Sequence, residues 1–225
     1  MAAKGIKVLL ADDHEIFRKG MSVLLEQIFE SVQVLESPDL DHALDLASNT
    51  PEIDMILIDL NMPGMSGAES LISLRETFPQ PKIAVISASE DRDDILGSLQ
   101  AGVHGYIPKT LPKDEMGRAL REIASGHIYV PSIVAAAPSL ASRSPAQRGS
   151  DSGDPTDNTL PDLGRLTPRQ RDVLRELGRG QATKEIARTL GLSEGTVKVH
   201  LAAIYRILGA RNRTEAVVMA GRIVH

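Results

Sequence analysis

The sequence predicts an α/β domain built on a doubly wound, five-stranded parallel sheet, followed by a separate all-α domain of four short helices. Three observations carry this. Five short apolar runs recur through the first half of the chain, separated by segments of helical length. A stretch rich in Ser, Ala, Pro, Gly and Asp then interrupts all periodicity. Beyond it, apolar residues recur at helical spacing only, and the sign of the charge reverses.

The apolar runs are Val8–Ala11, a weaker Val32–Leu35, Met55–Ile58, Ile83–Ile86 and Tyr106–Ile107. Each is short, aliphatic or β-branched, and bounded by polar or turn-forming residues, as strands are. Helical segments between them give a β-α-β-α order, so the strands run parallel and helices cover both faces of the sheet. In such sheets the working crevice lies beyond the carboxyl ends of the strands. Four of the runs lead into Asp12–Asp13, Asp59, Ser87 and Lys109, so acids, a hydroxyl and a lysine converge on one edge. The charged run Glu90–Asp94 opens the helix after Ser87, where acids favour the positive end of the helix dipole.

From Pro131 to Pro161 there is little apolar surface to offset the entropy of ordering, and this reads as a flexible linker. Ile133–Ala137 are expected to pack on the preceding domain. The divisions are therefore 1–131, 132–161 and 162–225.

The second domain begins with a helix start: Thr167 as cap, Pro168 at the first helical position and Gln170 reaching back. Val173, Leu174 and Leu177 follow at helical spacing until Gly178–Gly180. A second helix runs from Thr183 to Leu190. After a tight turn at Gly191, Ser193 caps a third helix whose buried stripe is Val197, Leu201, Ile204 and Leu208. Asn212 and Glu215 form a capping box for a fourth helix through Val217, Val218 and Ile223. A tight turn between the second and third helices makes a helix-turn-helix unit. With the stripe inward, Lys198, Val199, Ala202 and Arg206 lie away from the core. Early exposed residues of such a helix read base edges in the major groove. Lys198 and Val199 suit that role, whereas Thr183, Lys184 and Arg206 suit the phosphate backbone. His200 reads as a helix-packing residue.

Charge supports the division. Residues 1–131 carry 11 Lys and Arg against 21 Asp and Glu, whereas residues 162–225 carry 12 against 6. Nucleic acid is thus a candidate partner for the second half only. The absence of cysteine excludes disulfides, a thiol nucleophile and Cys-type zinc sites. No signal peptide is evident, and nothing approaches the roughly 18 consecutive apolar residues of a membrane span. The expectation is a soluble, cytoplasmic protein without a membrane partner.

Three carboxylates at one sheet edge repel one another unless a cation sits among them, and such oxygen ligands suit Mg²⁺. A carboxylate beside that metal can accept a phosphoryl group in line, with Ser87 and Lys109 placed to bind the phosphoryl oxygens. His14, beside the acids, reads as solvent-facing at a helix start.

Residues 6–124 resemble the receiver domain of two-component response regulators. The resemblance implies the strand order 2-1-3-4-5, Asp59 as phosphoacceptor, and a Mg²⁺ site of Asp12, Asp13, Asp59 and the backbone carbonyl of Asn61. It further implies Ser87 as the switch hydroxyl, Lys109 as the phosphate-pairing lysine and Tyr106 as the switch aromatic, turning inward on phosphorylation. Thr110 stands where many relatives have proline, so a cis or a trans bond after Lys109 is open on the sequence.

Residues 164–225 resemble LuxR-type DNA-binding domains through Leu166-Thr-Pro-Arg-Gln, Lys184-Glu-Ile-Ala and Thr196-Val-Lys-Val-His. Together the two halves have the architecture of the NarL/FixJ family. That implies a sensor histidine kinase and double-stranded DNA as partners, contacts from Thr183, Lys184, Thr196, Lys198, Val199, Ala202 and Arg206, and homodimerisation on phosphorylation. In the family the fourth helix usually forms the dimer contact on DNA. RNA polymerase is a further candidate partner. The chain is expected to regulate transcription and not to be an enzyme. The acidic domain is expected to mask the basic one until phosphorylation. A metal-dependent phosphohydrolase and a phosphate-independent dimerisation scaffold are the competing readings. The former lacks a visible acid or base and a substrate cover.

Overall fold

The computed structural model describes residues 5–135 and 165–223. In the first part, strands β1 (Ile6–Ala11), β2 (Val32–Ser37), β3 (Met55–Ile58), β4 (Lys82–Ser87) and β5 (Gly105–Pro108) alternate with helices. These are α1 (Glu15–Ile28), α2 (Leu40–Asn49), α3 (Ala68–Thr77), α4 (Arg92–Gln100) and α5 (Lys113–Ala124), and a short α6 (Ser132–Ala135) follows. The strands pair in parallel in the order β2-β1-β3-β4-β5, as expected.

Strand side chains alternate between two cores. Leu9, Ala11, Ile56, Ile58, Ile83 and Val85 point toward α2, α3 and α4, joining Leu44, Leu71, Leu74 and Ile95. Val8, Leu10, Met55, Leu57, Ala84 and Ile86 point the other way, onto Leu25 of α1 and Leu120 and Ile123 of α5. Every β3 residue is buried, which is why that strand reads as an unbroken apolar run and not as an alternation. Each fully buried Leu or Ile contributes about 1.5–3 kcal/mol relative to exposure, so the core fixes the register and with it the strand ends.

Past β3 the chain turns through Met62-Pro63-Gly64-Met65. Gly64 sits at φ +94°, and a Cβ there would lie 2.9 Å from the Leu40 Cβ, so the turn requires glycine twice over. The Pro63 carbonyl accepts the Leu40 N–H at 3.1 Å, tying this turn to the start of α2. Asp91 caps α4, accepting from the Asp93 N–H at 2.8 Å, so the acidic run does begin a helix. Val134 packs on the α2–α4 core as expected, while Ile133 remains exposed. The rest of the expected linker, from residue 136, lies outside the described residues.

The second part holds α7 (Pro168–Gly178), α8 (Thr183–Leu190), α9 (Glu194–Leu208) and α10 (Arg213–Ile223) around a core of its own. That core includes Leu166, Val173, Leu177, Ile186, Val197, Leu201, Ile204 and Leu208. The Thr167–Gln170 capping box forms in both directions, at 3.2 and 3.0 Å. Gly191, in the left-handed conformation at φ +66°, ends α8, and Ser193 Oγ accepts the Thr196 N–H at 3.0 Å to begin α9. The expected box at α10 forms in one direction. Asn212 accepts the Glu215 N–H at 3.0 Å, but Glu215 reaches back to the N–H of Arg211, one residue earlier.

Candidate functional site

The acidic pocket lies at the carboxyl edge of the sheet. Asp12 leaves β1 and Asp59 leaves β3, and both are almost fully buried, at 1% and 2% exposure. Asp13 is more open. Lys109, at the end of β5, extends its ammonium between them, 2.6 Å from Asp12 Oδ2 and 2.7 Å from Asp59 Oδ2. Burial opposes that charge, but the hydrogen bonds and fields of Asp12 and Asp59 outweigh it and hold the lysine pKa above its ordinary value. The ammonium also stands over the Phe17 ring, 4.6 Å from its centroid.

Ligand atoms of Asp12, Asp13, His14 and Asp59 lie within 4.8 Å of one another. His14 is 69% exposed, as expected of a solvent-facing residue, yet its Nδ1 is 2.7 Å from Asp13 Oδ1. Asp12 and Asp59 share one ammonium, and Asp13 stands beside them. Asp12 Oδ2 is buried, and the Lys109 ammonium at 2.6 Å is the one partner it has among the described residues. An excess of carboxylate oxygens over cationic partners, two of the carboxylates buried, fits a divalent cation such as Mg²⁺.

Ser87 is fully buried at the end of β4. Its Oγ accepts from the Ser89 N–H at 3.2 Å and lies 3.5 Å from the Asn61 side-chain amide. The Asn61 backbone N–H donates to Asp59 Oδ1 at 3.2 Å. Tyr106 is fully buried on β5 in the core that also holds Val85 and Ile95, with its hydroxyl donating to the Ser89 carbonyl at 2.7 Å, and burial raises its pKa. The described backbone contains no cis peptide bond, so the bond after Lys109 is trans. Thr110 hydrogen-bonds Glu90.

In the second domain Lys184 and Lys198 are exposed, and Thr183 is half-buried at the start of α8. Thr196, Val199 and Arg206 are not free, because α9 lies against α2 and α3 of the first domain, and Ala202 is half-buried. Val199, Ala202 and Arg206 avoid their own domain's core, as expected, but the neighbouring domain covers Val199 and engages Arg206 and Thr196. Val199 is 1% exposed and packs with the α2–α4 core. Arg206 donates to Ser73 Oγ at 2.7 Å and to Glu76 Oε2 at 2.5 Å. The Thr196 hydroxyl and the Ser193 N–H both donate to Asp45 Oδ1, at 2.7 and 3.0 Å. Gly195 approaches α2 so closely that a Cβ would meet Ser48 Oγ at 2.2 Å.

Comparison with known proteins identifies both parts of the chain. Residues 8–121 match the family model of the response regulator receiver domain, and residues 164–220 match that of the bacterial regulatory proteins of the luxR family. The chain belongs to the two-component response regulators. The glycerol metabolism activator of Pseudomonas putida is 36% identical over 219 residues, covering 96% of each chain. The nitrate/nitrite response regulator protein NarL of Escherichia coli is 35% identical over 211 residues, covering 94% of this chain and 93% of that one. The solved structure of the Salmonella typhimurium RcsB response regulator, a study of conformational dynamism for DNA interaction, is similar at 25% identity. Its TM-score is 0.51, over 96% of this chain and 98% of that one.

Sequence reasoning missed the regulator's interdomain partners. Asp41 on α2 accepts from Arg169 Nε at 2.8 Å and lies 2.7 Å from His200 Nε2. His200 is 1% exposed, as a packing residue should be, but it packs across domains. Gln170 donates to Ser66 at 3.0 Å, and Arg165 pairs with Glu69. Two signals were available: acids one turn apart on α2, and the opposite charges of the two halves. No described helix of the regulator is long and apolar enough to cross a membrane.

Proposed function

We propose that phosphorylation of Asp59 controls access of α9 to DNA. The sites involved are those expected from the sequence, with domain divisions 1–131, 132–161 and 162–225. The observation that carries this is the joint placement of a buried, cation-hungry acidic pocket in one domain and a recognition helix covered by that same domain.

Asp12, Asp13 and Asp59, with the Asn61 backbone carbonyl, would hold Mg²⁺, which supplies charge neutralisation for phosphoryl transfer. Asp59 is the nucleophile toward the phosphohistidine of a sensor histidine kinase. Lys109, now bridging Asp12 and Asp59, follows the new charge onto the phosphoryl oxygens, and Ser87 donates to another. Ser87 in turn holds the Ser89 N–H, and the Ser89 carbonyl holds Tyr106, so a shift of Ser87 is passed to α4 and β5. Repacking there reaches the α9 contact through α3, which packs against both α4 and α9. Released, Lys198 and Val199 read the major groove, with Thr183, Lys184, Thr196, Ala202 and Arg206 beside them. Dimerisation through α10, where Val218 is 54% exposed, places two recognition helices on neighbouring half-sites. The setting is the cytoplasm, with RNA polymerase as the downstream partner, and the chain turns over no separate substrate.

Intact mass after incubation with Mg²⁺ and a small phosphodonor tests the first step. Wild type should gain one phosphoryl group and Asp59→Asn none. Equal labelling of both would move the acceptor elsewhere.

A further inference from the structure

Two acids one helical turn apart on α2 are held entirely by groups of the second domain. Asp45 Oδ1 accepts the Ser193 N–H at 3.0 Å and the Thr196 hydroxyl at 2.7 Å, at the amino end of α9. Asp41 Oδ2 accepts from Arg169 Nε at 2.8 Å, and its Oδ1 faces His200 Nε2 at 2.7 Å. Burial would raise the Asp41 pKa, but His200 and Arg169 together hold it below the ordinary carboxylate value, so it stays anionic.

Each acid is gripped as a phosphate would be. One sits on a backbone N–H and a hydroxyl at a helix start, and the other on a guanidinium and an imidazole. Residues four apart on a helix place their side chains about 5–6 Å apart at Cβ. That spacing is comparable to neighbouring phosphates along one DNA strand. The donors also surround Lys198 and Val199, the residues aimed at base edges, as backbone contacts surround a recognition helix.

We propose that Asp41 and Asp45 imitate two successive DNA phosphates, and that Arg169, His200, the Ser193 N–H and the Thr196 hydroxyl form the clamp that grips the DNA backbone in the open state. The ligand is a phosphodiester backbone of any sequence. This rests on the reading that the receiver masks α9. It adds Arg169, His200 and Ser193 to the DNA-contacting set and gives the masking a chemical form: receiver and DNA compete for the same donors.

The test uses the full chain opened by Asp41→Ala with Asp45→Ala, changes confined to the receiver, and a mixed-sequence duplex several turns long. Affinity is measured between about 50 and 200 mM salt, because each charged phosphate contact contributes about −0.9 to the slope of log K against log salt. Adding Arg169→Gln should flatten the slope by about 0.9, and Arg169→Lys should restore it. Adding Thr196→Val should weaken binding several-fold at unchanged slope, since a hydroxyl displaces no counterion.

Arg169 also holds the Leu190 carbonyl at 2.8 Å. Helicity of each variant is therefore recorded, and if Arg169→Gln fails to fold, Thr196→Val decides. Unchanged slope in a folded Arg169→Gln, or unchanged affinity in Thr196→Val, overturns the clamp. A double acid variant that binds DNA no better than wild type overturns the masking itself, and the imitation with it.

Discussion

Removal of residues 1–161 is expected to raise affinity for duplex DNA between about 5- and 150-fold, the range spanned by interdomain couplings of about 1–3 kcal/mol. The freed part carries its own core, from Leu166 through Leu208, with α10 closing it through Ala216, so it should fold alone. In the full chain the receiver covers Val199 and occupies Thr196 and Arg206. DNA binding must therefore displace those contacts first. Asp45→Lys should act in the same direction without deleting anything. It sets an ammonium against the positive end of α9, where a carboxylate now accepts two hydrogen bonds. Fluorescence anisotropy on a labelled duplex compares all three proteins. Equal affinity across them would mean that the closed arrangement does not restrict binding.

Lys109→Ala is expected to destabilise the receiver by about 3 kcal/mol in the absence of divalent cation, the order found when one partner of a buried ion pair is removed. Asp12 and Asp59 are buried to within 2% and the ammonium touches both, so its loss leaves two uncompensated carboxylates. Saturating Mg²⁺ should recover much of that loss, because a ligand that binds only the folded state stabilises it by mass action. Asp59→Asn should show the opposite pattern, with less to gain from Mg²⁺. Urea unfolding with and without Mg²⁺ reads both variants. A Lys109→Ala protein as stable as wild type, or indifferent to Mg²⁺, would show that the pocket is not held by this charge balance.

The sheet was legible because β3 and β4 are buried on both faces, so Met55–Ile58 and Ile83–Ile86 stand out as aliphatic runs without any helical period. The pocket was legible for a related reason: its side chains sit at strand ends or within two residues of them, where topology alone makes them neighbours. The α7 and α9 caps were written in local chemistry, Thr167 with Gln170 and Ser193 with Thr196. Two kinds of feature were not local. The state of Tyr106 depends on the packing of α4 and β5 around it, which no motif encodes. The domain contact depends on Asp41 and Asp45 meeting residues more than 120 positions away. Charge balance signals that the halves attract, but which acid meets which donor follows only from the docked surfaces. Hence Val199 and Arg206, which face away from their own domain's core, read as exposed in the sequence although the receiver covers them.

The most direct test of the account is the DNA affinity of wild type and Asp59→Asn, each with and without Mg²⁺ and a small phosphodonor that labels Asp59. Tighter binding by phosphorylated wild type, approaching that of the chain lacking residues 1–161, with Asp59→Asn unmoved, is the predicted result. Identical affinity in all four conditions, with mass confirming that wild type carries its phosphoryl group, would contradict it.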